Sequence, residues 1–264
     1  MSGPRYEVYA LKYAHHERRA SENFIGGDPH DGPMPLDYFV WLIRGGDGKE
    51  AREIVVDTGF SAAVALRRQR QHLRCPGEGL RLLGCEAGAV KEVVITHLHY
   101  DHVGNFDLFP AATFHLQDRE MQYATGRHMA MPVFSGAFDV EDVVGMVRNT
   151  YAGRVRFHDG DDEIAPGVSL HYIGGHTMGL QVVRVATRRG NVVLASDASH
   201  FYANMEQGRP FPIVFNVAEM VEGYARLHAL ADSPAHIIPG HDPLVLERYP
   251  APAAGLQGIA ARLD

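Results

Sequence analysis

A layered α/β (α+β) fold is what this sequence predicts, and three observations predict it. Short runs rich in Val and Ile recur along the chain, each closed by turn or polar residues. Segments of helical composition fall between them, and strands interleaved with helices pack as layers. The composition, 45% hydrophobic and 22% charged over 264 residues, is that of a globular chain able to bury a core, and excludes disordered, collagenous and coiled-coil classes.

The strand runs, in order, are 38–43, 53–56, 92–96, 168–173, 181–186, 191–195 and 236–238. Gly45, Gly46, Asp47 and Gly48 separate the first two and read as a hairpin turn. Segments 61–74 and 77–84 read as helices between the second and third strands, and 218–231 (AEMVEGYARLHALA) has the cleanest helical apolar spacing. With no low-complexity tract, linker or charge block, one domain over 1–264 is expected. The strands EIVVDTG and NVVLASD each deliver an aspartate, Asp57 and Asp197, at the C-terminal end, a short internal echo.

A formal charge of −7 argues against nucleic acid or an anionic membrane surface as a partner, since both reward a basic face. No stretch approaches the ~18 apolar residues of a spanning helix, and the first residues lack the apolar core of a signal peptide. A cytoplasmic location is expected. Cys75 and Cys85, the only cysteines, cannot form a disulfide framework and lack zinc-site spacing, so both read as reduced and structural.

The 16 histidines are not scattered evenly. THLHYDHVGN places His97, His99, Asp101 and His102 within six positions directly after an apolar strand. In extended backbone His97, His99 and Asp101 would share a face, and the turn toward Gly104 would let His102 swing round to join them. Imidazoles and carboxylates are what zinc and similar divalent ions bind, and burying several ionisable groups without an ion is costly. GGHTMG adds His176, SDASH adds Asp197 and PGHD adds His241, each just past a strand, where a loop can turn a side chain toward a shared site. Singly, each reads equally well as a cap or turn residue.

These seven positions, in this order, resemble the metallo-β-lactamase superfamily, whose signature is HxHxDH followed by a His, an Asp and a final His. The resemblance implies a four-layer αββα sandwich with two divalent metal ions at one edge, zinc first, with Mn, Fe or Co as alternatives. It assigns His97, His99 and His176 to one ion, Asp101, His102 and His241 to the other, and Asp197 as the bridge. Asp57 is then expected to accept a hydrogen bond from a ligand histidine.

Within the superfamily, the HLHxDHxG text, the GH[TS]xG loop and the D-A-x-x segment are most similar to the N-acyl homoserine lactonase branch. That branch has a tyrosine three residues after the bridging Asp; here His200 stands there, with Tyr202 two residues on. The implied activity is opening of a lactone by a metal-bridging hydroxide, with Asp101 and Asp197 at the ions and His200 or Tyr202 assisting the developing oxyanion. The substrate is a small lactone, met either in quorum quenching or in a catabolic step; a homodimer is compatible with the reading. Thioester, β-lactam and phosphoester hydrolysis are the alternatives, the first disfavoured by a C-terminal segment, PAPAAGLQGIAARLD, with a single arginine. An iron-dependent persulfide oxygenase would need only part of the ligand set, and a non-catalytic module none of it. Apolar residues Met129, Met131, Phe134, Phe138, Met146, Phe201, Met205, Phe211 and Phe215 are candidates for pocket walls or core. His15, His16, Asn23, Phe24 and Ile25 are candidates for an N-terminal lip.

Overall fold

A computed structural model describes residues 5–45 and 52–264. It opens with β1 (Tyr6–His16), β2 (Leu36–Gly45), β3 (Arg52–Val56), α1 (Ala62–Arg68), β4 (Gln71–His72), α2 (Pro76–Leu82) and β5 (Glu92–Val94). The middle of the chain holds α3 (Tyr100–Val103), β6 (Thr113–Gln117), α4 (Asp118–Ala124), α5 (Pro132–Ser135), α6 (Val140–Tyr151), β7 (Val155–His158) and β8 (Asp162–Ala165). It closes with β9 (Val168–Tyr172), β10 (Gln181–Thr187), β11 (Gly190–Ser196), α7 (Tyr202–Gln207), α8 (Val217–Leu230), β12 (Ile237–Pro239), α9 (Leu244–Arg248) and β13 (Ala260–Arg262).

The strands form two sheets, one ordered β13-β1-β2-β3-β5-β6-β7 with β4 paired to β1, the other β12-β11-β10-β9-β8. The period-two pattern of a strand explains the layering. In β2, Tyr38, Val40 and Leu42 enter one core with Val64, Leu80, Tyr123 and Met146 from the helices outside the first sheet. Phe39, Trp41 and Ile43 enter the other, with Val183 and Val193 of the second sheet and Met220, Tyr224 and Leu227 of α8 beyond it. A strand buried on both faces reads as a continuous apolar run, which is why 38–43 is visible in the sequence. Helices outside two facing sheets make the expected αββα arrangement. No helix among the described residues is long and apolar enough to cross a membrane.

Several boundaries differ from expectation. The segment 61–74 is helical only to Arg68, because Gln69 adopts φ 56°, ψ 48° and the chain then pairs with β1 as β4. Segment 92–96 stops at Val94, where Thr96 and His97 leave the sheet for the site. His236 belongs to a short 3₁₀ turn before β12. The hairpin residues Gly46, Asp47 and Gly48 lie outside the described residues, although β2 and β3 are antiparallel neighbours. The first strand, YEVYALKYAHH, was hidden by its Glu, Lys and His, yet Val8, Ala10, Leu11 and Tyr13 are fully buried. Cys75 and Cys85 are free thiols.

Candidate metal centre

Each candidate ligand lies past the end of a strand, in the loop or short helix that follows it. After β5, His97 and His99 lie in non-helical backbone and share a face, but Asp101 and His102 do not continue it: they occupy the first turn of α3. The expectation of an extended HxHxD segment is therefore corrected at Asp101, since a helical turn presents adjacent residues about 100° apart and can aim both inward. The Tyr13 hydroxyl of β1 donates to the Asp101 carbonyl at 2.8 Å and fixes that turn. His176 follows β9, Asp197 follows β11 and His241 follows β12. Asp57 and Ser196 both have positive φ, 61° and 45°, so the two echoed strands end in the same left-handed kink. Gly240 permits the approach of the His241 loop: a Cβ there would stand 2.7 Å from the Ser196 carbonyl oxygen and 2.8 Å from Asp197 Oδ1.

All seven side chains are buried, and they converge. His97, His99, His176 and Asp197 can each turn one ligand atom to a common point, as can Asp101, His102 and His241, all atoms of a group lying within 4.8 Å of one another. Asp197 lies between the groups, with Oδ2 at 3.2 Å from His176 Nε2 and Oδ1 at 2.9 Å from His241 Nε2. His200 also reaches it, Nε2 to Oδ2 at 3.0 Å.

Second partners set which nitrogen faces inward. His102 Nδ1 donates to Asp57 Oδ2 at 2.7 Å, His176 Nδ1 to the Ile213 carbonyl at 2.7 Å, and His241 Nδ1 to the Asp37 carbonyl at 2.9 Å. Asp57 also accepts from the Thr96 N–H and hydroxyl, at 2.8 and 2.9 Å. With Nδ1 engaged in this way, Nε2 of each ring is the nitrogen left to face the cluster.

A divalent ion fits this donor set. His97 Nε2 and His99 Nδ1 approach to 3.1 Å, and His176 Nε2 and His99 Nδ1 to 2.9 Å, contacts between nitrogens that a cation would reconcile. His102 Nε2 and Asp197 Oδ1 are buried and make no hydrogen bond of good angle, although His241 Nε2 stands 2.9 Å from Asp197 Oδ1. Burial, then the electrostatics of the adjacent histidines, hold His97 and His99 well below the usual histidine range, so both are neutral donors. Burial alone would raise Asp197, but His200, His241, His102 and His176 outweigh it and hold the carboxyl well below its usual range.

Outside the cluster, the two candidates for oxyanion assistance part company. His200 lines the cavity above the cluster, stacked on Phe211 at 3.7 Å between ring centroids, and burial pushes its imidazole down to about 3. Tyr202 does not line that cavity. It is packed in the second core with the Arg248 guanidinium 3.8 Å from its ring centre, because α7 begins there and turns it away. Of the apolar wall candidates, only Phe211 lines the cavity; Phe138 packs edge-on against His99 at 4.7 Å, and Met129, Met146, Phe134, Phe201 and Phe215 belong to or pack on the first core, Met205 to the second. At the expected lip, Arg18 and Leu36 line the cavity, while Asn23 does not: its side chain accepts from Arg18 Nε and donates to the Met34 carbonyl, both at 2.8 Å.

Glu120 escaped the sequence reading. Buried on α4, it accepts from the Leu98 N–H at 2.8 Å, the Thr177 hydroxyl at 2.6 Å and the Gly179 N–H at 3.0 Å, tying the His97–His99 segment to the His176 loop. Its text, QDREMQ, carries no signal beyond an acid on a short helix.

A family model described as the metallo-beta-lactamase superfamily matches residues 34–241. The N-acyl homoserine lactonase AiiA of Bacillus thuringiensis subsp. kurstaki is 29% identical over 133 residues, which is 50% of this chain and 48% of that protein, so the match spans about half its length. The N-acyl homoserine lactonase AttM of Azorhizobium caulinodans is 26% identical over 232 residues, 82% of this chain and 85% of the relative. Among solved structures, a quorum-quenching N-acyl homoserine lactone lactonase superposes with TM-score 0.73 at 22% identity, over 91% of this chain and 93% of that one. A probable metal-dependent hydrolase from Staphylococcus aureus superposes with TM-score 0.71 at 14% identity, over 92% and 91%. At such identities the structural likenesses speak for the fold, and the family model, which spans most of the chain and every clustered ligand position, speaks for descent: this chain belongs to the metallo-beta-lactamase superfamily.

Proposed function

We propose that the chain is a dinuclear metal-dependent hydrolase that opens lactones, acting in the cytoplasm on an N-acyl homoserine lactone or a catabolic lactone. The observation that carries this reading is the complete set of seven buried ligands converging in two groups with Asp197 between them. The relatives named as N-acyl homoserine lactonases support the choice of a cyclic ester.

In this reading His97, His99 and His176 hold one ion, Asp101, His102 and His241 the other, and Asp197 serves both. Zinc suits the donors best, and manganese, iron and cobalt are accommodated by the same imidazole and carboxylate atoms. Bound divalent ions lower the pKa of coordinated water toward about 7 and polarise a carbonyl. The chain's own part is to hold that geometry and to exclude water. Asp57, the Ile213 carbonyl and the Asp37 carbonyl fix three imidazoles in the tautomer that binds through Nε2. His200, its imidazole pushed down to about 3 by burial, stands at the cavity wall with Nε2 3.0 Å from Asp197 Oδ2, and its single N–H would serve either that carboxylate or a substrate oxygen.

Proton release by zinc-loaded protein, followed with a pH indicator, tests the reading on acyl homoserine lactones, simple lactones, a glutathione thioester, a β-lactam and a phosphodiester. Turnover of lactones well above the others is expected. Silence on every lactone with turnover of another class would overturn it.

A further inference from the structure

Three arginines border the same cavity. Arg18 follows β1 by two residues, Arg68 ends α1 and Arg70 precedes β4, and with Tyr38 and Tyr100 they line the space above the ligand cluster. In a continued helix Arg68 and Arg70 would point about 200° apart. The left-handed Gln69 between them, φ 56°, reverses the chain and lets both line one wall.

None of the three has an anionic partner. Arg18 donates to Asn23 Oδ1 at 2.8 Å and to the Glu22 carbonyl at 2.6 Å. Arg68 donates to the carbonyls of Gly136 and Phe138, at 3.0 and 2.8 Å. Arg70 donates to the Tyr100 hydroxyl at 3.2 Å and the Arg68 carbonyl at 2.7 Å. Among the described residues, no carboxylate lies within ion-pair distance of any of them, whereas their sequence neighbours Arg19 and Arg67 pair with Asp31 and Asp139. The charge is felt locally. His16, beside them, is pushed down to about 4, by burial first and then by Arg70 and Arg18. Arg18 also lies 5.0 Å from the centre of the Phe211 ring, which backs the guanidinium with an apolar face.

Partly buried guanidiniums without a counter-charge, with N–H groups to spare at the mouth of a metal centre, are placed to receive an anion. The cavity is about 170 Å³, below the roughly 300–1,000 Å³ of most small-molecule pockets, and it opens to solvent on one side. We propose that the lactone opened here is a compact lactone acid, whose carboxylate is taken by Arg18 and Arg70 while its ring carbonyl faces the ligand cluster. This rests on the lactone reading above. Long neutral acyl chains leave the arginines unpaired and are poor substrates. Ring opening adds one water, so the product is a hydroxy-dicarboxylate. Arg68, held by two backbone carbonyls and laid flat against the Tyr100 ring, 3.9 Å from its centre, shapes the wall and is not assigned the carboxylate.

The test compares 5-oxotetrahydrofuran-2-carboxylate with its primary amide, alongside N-hexanoyl homoserine lactone, on metal-loaded protein. A kcat/KM ratio of carboxylate to amide of about tenfold or more, expressed in KM and shrinking with added salt, is expected. In Arg18→Gln and Arg70→Gln that ratio falls several-fold, and Arg70→Lys restores part of it. Glutarate binding to metal-free protein, measured by calorimetry, weakens in the same two variants and reports the arginines without turnover. A carboxylate-to-amide ratio near one, or a ratio unchanged in both Gln variants, overturns the proposal while lactone hydrolysis stands. Absence of turnover on all three lactones overturns the lactone reading and the proposal with it.

Discussion

Glu120 accepts a hydrogen bond from the Thr177 hydroxyl at 2.6 Å, one residue from His176, and another from the Leu98 N–H at 2.8 Å, between His97 and His99. One buried carboxylate thus sets the distance between the two segments that carry three of the seven candidate ligands. Burial pushes the Glu120 carboxyl up, and its three donors pull it back, so the bonds are needed to keep it in place. Glu120→Ala would leave the Leu98 and Gly179 N–H groups buried without partners. Such a loss costs about 1–3 kcal/mol per group, and misplaced ligands lose roughly 10–100-fold in metal affinity. Thermal unfolding of the metal-free protein and zinc competition with a chelator should both shift; an unchanged zinc affinity would remove Glu120 from the account.

Asp57 does the same for His102 through a single contact of 2.7 Å. Its backbone has φ 61°, a region that Asn tolerates nearly as well as Asp, so Asp57→Asn keeps the turn and removes the charge. Zinc affinity is expected to fall by about tenfold or more, with the unfolding midpoint of metal-free protein changing less than in Asp57→Ala. Equal metal affinity in wild type and Asp57→Asn would show that the carboxylate charge does not tune His102.

Asp142 gives the fold a pH dependence away from the site. It occupies the first turn of α6, where a negative charge is favoured, but it is buried, Oδ2 lacks a partner and Asp139 is near. Burial, then the Asp139 charge, raises its carboxyl from 3.8 to about 7. Between those values the native state keeps a proton that the unfolded chain has released, so stability falls as pH rises through the window and is level above it. Asp142→Asn should therefore be more stable than wild type at pH 8 by about 1–2 kcal/mol, a rise of roughly 2–4 °C, with little difference near pH 4. A mutant that gains nothing at pH 8, or gains equally at both values, would rule out this titration.

Much of the site is legible in the sequence because the candidate ligands follow directly after apolar strands and fall in short, distinctive motifs. His97 to His102 are read within one loop, and His176, Asp197 and His241 each follow an apolar run that is itself visible. What stays hidden depends on contacts between distant segments. Glu120 is an ordinary helix residue until Leu98, Thr177 and Gly179 surround it. Arg18 and Arg70 belong to polar stretches whose shared wall exists only because β4 pairs with β1. The separation of His200 from Tyr202 follows from where α7 starts, and spacing alone does not locate that boundary. Strand β1 escaped because its polar residues sit near the strand's ends and at Lys12, which is half-buried and paired with Asp37, masking fully buried neighbours.

The central claim is that Asp197 is shared by two ions and that lactone opening depends on this. Metal stoichiometry by elemental analysis, made together with lactone turnover on wild type and Asp197→Ala, tests it most directly. Two ions per wild-type chain are expected, with loss of at least one ion and of turnover in the variant. Two tightly held ions and undiminished lactone hydrolysis in Asp197→Ala would contradict it.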